Sequence, residues 1–205
     1  SMTILLKQWL IENQRVSQME NMRIQSEVEQ LKDQVNPSFL FNILNRTGIL
    51  ASKEPEKASQ MVMKLSQLLR YQLYESSREK VLLTSEINFL TNYLVLESLY
   101  SDKLQYNITA EGDINRVFVP PLLFISFAQY AVDHSFYKEE SFAIRFNFDA
   151  VDNHLYFYCH CLVAEDVDFS RITQRLHLLY GNGYKLSIIK GEKNRESIIK
   201  LELNL

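Results

Sequence analysis

The chain has 205 residues, 46% of them hydrophobic and 23% charged, with a net charge of −3 and a pI near 5.8. That length supports one or two small packed domains. The absence of a basic stripe excludes nucleic acid as the main partner, and no apolar run approaches the ~18 residues of a membrane span. No signal-peptide pattern is visible, and Ser1-Met2 reads as a tag remnant ahead of a piece of a longer protein.

Residues 3–35 contain neither Gly nor Pro and are rich in Gln, Glu, Lys and Arg. Ile24, Val28, Leu31 and Val35 repeat at 4-3-4 spacing, the seam of a coiled coil, and Val16 and Met19 extend it less regularly. The spacing predicts a long helix that pairs with its copy in a second chain. Trp9, among Ile4, Leu5, Leu6, Leu10 and Ile11, suits a membrane surface. Pro37 then interrupts the helical pattern and should kink it. Phe39, Leu40, Phe41, Ile43 and Leu44 resume it with a broad apolar surface. Ser52-Lys53-Glu54-Pro55 is a stop and restart. Residues 56–75 are expected to form a second helix with Ala58, Met61, Val62, Leu65, Leu68, Leu69 and Leu73 inward. Two such helices make a hairpin, and two hairpins a four-helix dimer.

Thr84 or Ser85 is the expected cap of a third helix, with Glu86 in its first turn. Beyond it the pattern alternates. Strands are expected at Leu104–Thr109, Phe142–Phe148, Leu155–Leu162, Tyr184–Ile189 and Ser197–Leu203. Helices are expected at Pro121–Tyr137 and Val167–Tyr180, the latter stopped by Gly181. Helices on one sheet make an α+β layer. Cys159 and Cys161 share one strand face, a spacing that does not normally bridge and suits a reduced compartment. His160 points to the other face and no second ligand pair exists, so a metal site through these residues and His154 is disfavoured.

Gln34-Val35-Asn36-Pro37-Ser38-Phe39-Leu40-Phe41-Asn42 resembles the N-P-H-F-L-F-N signature of the LytS-type sensor histidine kinases, with Ser38 where the family carries its phosphoacceptor histidine. Leu65-Ser66-Gln67-Leu68-Leu69-Arg70-Tyr71 is similar to the family's L-S-x-L-L-R-Y run. Glu86, Leu90, Tyr93, Leu94 and Glu97 are similar to its E-x-x-x-L-x-x-Y-L-x-L-E pattern. The likeness runs from about residue 24 to 123. It implies residues 1–30 as a signalling helix, 31–101 as a helical dimerisation and phosphoacceptor-like region, and 102–205 as an ATPase-like domain. That last domain is similar to the ATP-binding sandwich of histidine kinases, gyrase and the heat-shock chaperone Hsp90.

The resemblance also implies where chemistry belongs, and there the residues depart. The acceptor is a serine, a poor nucleophile unless a base activates it, and Pro37 and Phe39 supply none. The metal-binding N box aligns with residues 119–135, where Gln129 replaces a glutamate and Tyr130 the magnesium-binding asparagine. The adenine-reading D-x-G-x-G box aligns with Cys161, Leu162 and Val163. Asp152-Asn153-His154 precedes the strand and reads as a turn. The glycine-rich phosphate lid aligns with Asp166–Arg171, which has no glycine and two acids ahead of Arg175-Leu176.

The expectation is a two-component family protein that has lost catalysis, with ATP and Mg²⁺ binding lost. It signals as a homodimer, or a heterodimer with a sister kinase, docking a response-regulator receiver domain around Ser38, Phe39, Phe41 and Asn42. It would sit at the cytoplasmic face of the bacterial inner membrane through an upstream segment. Two alternatives stand beside it. One is an active ATP-dependent kinase with unusual site residues. The other is a small-ligand sensor whose pocket is lined by Phe124, Phe127, Tyr130 and Phe157.

Overall fold

The structure is a computed structural model that describes residues 2–32, 37–135, 141–162, 168–190 and 196–205. The chain divides into two compact units, Ser1–Val35 and Asn36–Leu205. The first is a single helix, α1 (Met2–Lys32). Trp9, Val16 and Met19 are exposed along it and Ile24 is half-buried. Val35 and the side chains of Val28 and Leu31 lie outside the described residues, as does the segment just before Pro37 where a kink is expected. Among the described residues no helix is long and apolar enough to cross a membrane.

The second unit opens with α2 (Pro37–Ala51) and α3 (Pro55–Arg70). The Lys53 and Glu54 amides both donate to the Leu50 carbonyl, closing α2, and Pro55 opens α3, where its missing N–H costs nothing. Helix α3 buries Ala58, Met61, Leu65 and Leu68, a stripe at helical spacing. Val62 and Leu73, expected inward, are instead 51% and 70% exposed. They stand on a neighbouring stripe beside the buried one, which packing within one chain leaves uncovered. The helix does not continue evenly to residue 75. It widens into a π turn, Tyr71–Glu75, in which the Ser76 amide reaches back five residues to the Tyr71 carbonyl at 3.1 Å.

Strand β1 (Val81–Leu82) leads directly into α4 (Leu83–Tyr100). Leu82 occupies the cap position, so neither Thr84 nor Ser85 caps this helix. Its entry is set by pairing: the Leu83 amide donates to the Val117 carbonyl, and β1 runs antiparallel to β3 (Phe118–Val119). Such a two-residue ladder carries no alternation from which a sequence could announce it.

The main sheet has five strands: β2 (Leu104–Gly112), β4 (Phe142–Val151), β5 (His154–Leu162), β6 (Tyr184–Lys190) and β7 (Glu196–Asn204). Their order is β2-β4-β5-β7-β6, with β2 parallel to β4 and the other pairs antiparallel. The period-two pattern decides the faces. Ile144, Phe146, Phe148, Leu155, Phe157, Cys159, Ile199, Leu201 and Leu203 are buried under the helices, while Tyr156, Tyr158, His160 and Lys200 line the other, open face. Helices α4 and α5 (Ile125–Ser135) pack on the inner face, and α6 (Ser170–Tyr180) packs by β6. The architecture is the α+β layer the alternation implies, preceded by helices.

Two helix boundaries differ from expectation. α5 starts at Ile125, not Pro121, because residues 121–124 form a turn in which Leu122 takes φ +57°. Likewise α6 starts at Ser170, where the Asp168 carboxylate accepts the Ser170 amide at 2.8 Å.

Candidate functional site

The aligned N-box residues lie on α5. Gln129 and Tyr130 are half-buried. The Tyr130 ring stacks on His134 at 4.0 Å and meets Phe169, just before α6, at 5.0 Å. His134 sits on its own helix end, with Nδ1 2.9 Å from the Tyr130 carbonyl. Beneath, Phe124, Phe127 and Phe157 are fully buried and pack on one another, Phe157 lying 4.8 Å from Phe124 and 5.2 Å from Phe127. Three of the four aromatic residues expected to line a pocket are therefore core. Tyr130 is the one at its edge.

At the end of β5, Cys161 is buried and Leu162 half-buried; Val163 falls outside the described residues. The Cys159 thiol donates to Cys161 across 3.6 Å, and burial first, then its neighbour, pushes it well above the usual thiol range. A pair of buried cysteines stands toward this strand end, and it offers no carboxylate to an exocyclic amine.

Sequence reasoning underrated a polar node next to these positions. Glu86 is fully buried in the first turn of α4. Its Oε1 accepts the Tyr71 hydroxyl at 2.5 Å and the Leu122 amide at 2.6 Å; Oε2 accepts the Leu123 amide at 3.0 Å. From the opposite side Arg175, on α6, donates to the Pro121 carbonyl at 2.7 Å and to the Leu122 carbonyl. Its Nε has no partner among the described residues. The turn that starts α5 is thus held by its N–H groups from α4 and by its C=O groups from α6, which sustains the left-handed Leu122. Burial raises the Glu86 carboxyl and lowers the Arg175 guanidinium to about 10. The Tyr71 phenol is driven far up by burial and by Glu86. The signal was present in the sequence: a lone acid in the first turn of one helix, and an Arg at the middle of another. What each would touch was not.

A second buried acid, Glu97, ties the hairpin to α4. Arg46 of α2 reaches it at 3.4 Å and lies over the Tyr100 ring at 4.0 Å. Burial pushes the Glu97 carboxyl up to about 7, with Arg46 opposing and Asp133 of α5 adding to the rise. Of the expected docking residues, Phe41 is 70% exposed and Asn42 is exposed, and both lie on α2. Ser38 and Phe39 belong to the same helix, but their side chains lie outside the described residues.

Comparison with known proteins bears on the helical half. Residues 26–104 match the family model described as histidine kinase. The sensor histidine kinase/phosphatase LytS of Staphylococcus aureus strain MRSA252 is 32% identical over 112 residues, 54% of this chain and 19% of that protein. LytS of strain N315 gives the same figures. The chain thus spans about a fifth of the length of the curated relatives it matches. Among solved structures, a bacterial phosphotransferase aligns over 88% of this chain and 96% of its own at TM-score 0.49 and 13% identity. The Acinetobacter baumannii histidine kinase AdeS aligns over 89% and 93% at TM-score 0.45 and 12% identity. Over residues 26–104, which carry the hairpin motifs, the chain is thus similar to histidine kinases, LytS among them.

Proposed function

We propose that this chain is a degenerate member of the LytS-type sensor histidine kinase family, one that signals by dimerisation and partner docking, without phosphotransfer. The observation that carries the reading is Tyr130. Where the family resemblance calls for an amide oxygen to hold Mg²⁺, a phenol ring stacks on His134 and meets Phe169 at a tilt. A phenol does not replace that ligand. The buried thiol of Cys161 stands where a carboxylate should read adenine, so ATP and Mg²⁺ do not fit the residues present. The mutual burial of Phe124, Phe127 and Phe157 supports a filled core over a pocket adapted to another ligand.

In this reading the signal enters through α1 and rearranges the hairpin. Phe41, Leu44, Val62 and Leu73 are exposed on α2, α3 and the π turn, an apolar surface suited to a second hairpin. The second hairpin comes from a copy of this chain or from a sister kinase. A response-regulator receiver domain docks near Ser38, Phe39, Phe41 and Asn42. Attachment at the cytoplasmic face of the bacterial inner membrane, through a segment upstream of this chain, belongs to the same proposal.

Calorimetric titration of Mg-ATP and Mg-ADP into the purified chain tests it. Absent or millimolar binding is expected. Micromolar binding overturns it, and ³²P transfer compared between the native chain and Ser38→Ala then decides whether Ser38 is modified.

A further inference from the structure

We propose that the groove between α3 and α4 binds a small anion, a carboxylate or phosphate carried on a planar apolar body. The groove has a volume of about 620 Å³, within the range of small-molecule sites. It carries two cations, Lys64 and Arg70, and one acid, Glu75. That acid is already engaged by Arg78 at 3.4 Å. Among the described residues the Lys64 ammonium has only neutral partners, the amide oxygens of Asn92 at 2.9 Å and Gln67 at 3.2 Å. Arg70 makes no ion pair among the described residues. Uncompensated positive charge beside the side-chain amides of Asn88 and Asn92 is the donor set of an anion site. The wall supplies the apolar half. Tyr71 and Phe89 lie 4.6 Å apart between ring centroids, and Tyr71 is fixed in place because its hydroxyl is held by Glu86.

The placement gives occupancy a consequence. The groove joins α3, in the hairpin, to α4, which packs on the sheet, and Lys64–Asn92 is one of the polar ties between them. A ligand there bears on Tyr71, and through Glu86 on the turn that begins α5. This site is separate from the nucleotide-binding positions, so it stands or falls independently of whether ATP binds.

The test is an NMR titration of the ¹⁵N-labelled chain with benzoate, phenyl phosphate and uncharged benzyl alcohol. Saturable shifts centred on the Asn88 and Asn92 side-chain amides are expected with at least one of the two anions, weakening with added salt, and the stronger anion names the head group. Benzyl alcohol is expected to bind about tenfold more weakly or not at all. Arg70→Gln, at an exposed position, should lower the affinity about tenfold with an unchanged thermal midpoint, and Lys64→Met by at least as much. Lys185→Gln, on β6, should leave it unchanged. The proposal fails if neither anion saturates in the millimolar range, if benzyl alcohol binds equally well, or if Arg70→Gln binds as tightly as the native chain.

Discussion

A carboxylate removed from water must be repaid by donors, and Glu86 collects three from two separate segments. Glu86→Gln keeps the shape but turns an amide N–H₂ toward a backbone N–H. We expect a loss of about 3 kcal/mol in urea unfolding. Tyr71→Phe removes one donor and leaves the clamp on Leu122 and Leu123, so about 1 kcal/mol is expected. Equal losses from the two variants would mean that Glu86 does not hold that turn. Glu97 makes a prediction in pH. Its folded value, about 7, lies above the ordinary 4.5, so the folded state keeps the proton that the unfolded chain has released. The resulting stability is complete below about pH 4.5 and fades as pH rises through 7. Asp133, also raised by burial, contributes with the same sign. Between pH 5 and 8 the chain should lose up to ~3 kcal/mol from Glu97, and Glu97→Gln should flatten that part of the slope. An unchanged slope in denaturant melts across this range counts against the assignment. Gly112, at φ +78°, closes β2, and a β-carbon there would run into the Ala150 carbonyl. Gly112→Ala meets both strain and a backbone clash, so a loss of more than about 2 kcal/mol is expected from thermal melts.

Among the elements, the hairpin is where periodicity and packing part company. Helical spacing marks Ala58, Met61, Leu65 and Leu68 as one stripe and places Val62, Leu69 and Leu73 on a neighbouring one. Both are apolar, so the sequence alone cannot say that only the first is buried within the chain. In the proposed dimer the second is the surface offered to another hairpin. Val62→Glu with Leu73→Glu should convert a dimer to monomer in sedimentation equilibrium while the far-ultraviolet dichroism holds. A native chain that sediments as a monomer at micromolar concentration would remove the four-helix dimer from the proposal. The α5 boundary misled for a related reason. Residues 121–124 read as helix because their apolar spacing continues that of Ile125–Ser135. Glu86 and Arg175, distant in sequence, claim the backbone groups a helix would have used. The π turn is equally invisible locally, since its residues differ little from those of an ordinary last turn.

At the scale of the molecule, the proposed loss of catalysis is spread over several elements, so no single reversion should restore it. Tyr130→Asn returns one magnesium ligand but neither the adenine-reading carboxylate nor the lid glycines. Calorimetry of that variant should still show no micromolar Mg-ATP binding. Micromolar binding would mean that Tyr130 alone had closed an otherwise competent site. What the molecule retains is the frame: a hairpin packed on α4, α4 packed on the sheet, and polar ties at Arg46–Glu97, Lys64–Asn92 and Tyr71–Glu86 along the way. Such a frame can transmit a rearrangement between its halves without a nucleotide.

By itself the sequence determined the family-like motifs in the hairpin, the order of the main helices and of the five strands of the main sheet, and the shared face of Cys159 and Cys161 on β5. Those properties rest on local periodicity and on runs of neighbouring residues. It also carried the identities that stand against catalysis: Ser38, Gln129, Tyr130, Cys161, Leu162 and Val163 each differ in chemistry from what the resemblance requires, wherever they sit. Only the tertiary structure decided what Glu86, Glu97 and Arg175 do, where α5 begins, and that Val62 and Leu73 stay exposed. It alone brought Lys64, Arg70 and Asn88 around one groove. The physical reason is common to all of these. Each depends on which distant segment supplies a donor, a charge or a covering side chain, and that is set when the elements pack, not by the spacing of residues along any one of them.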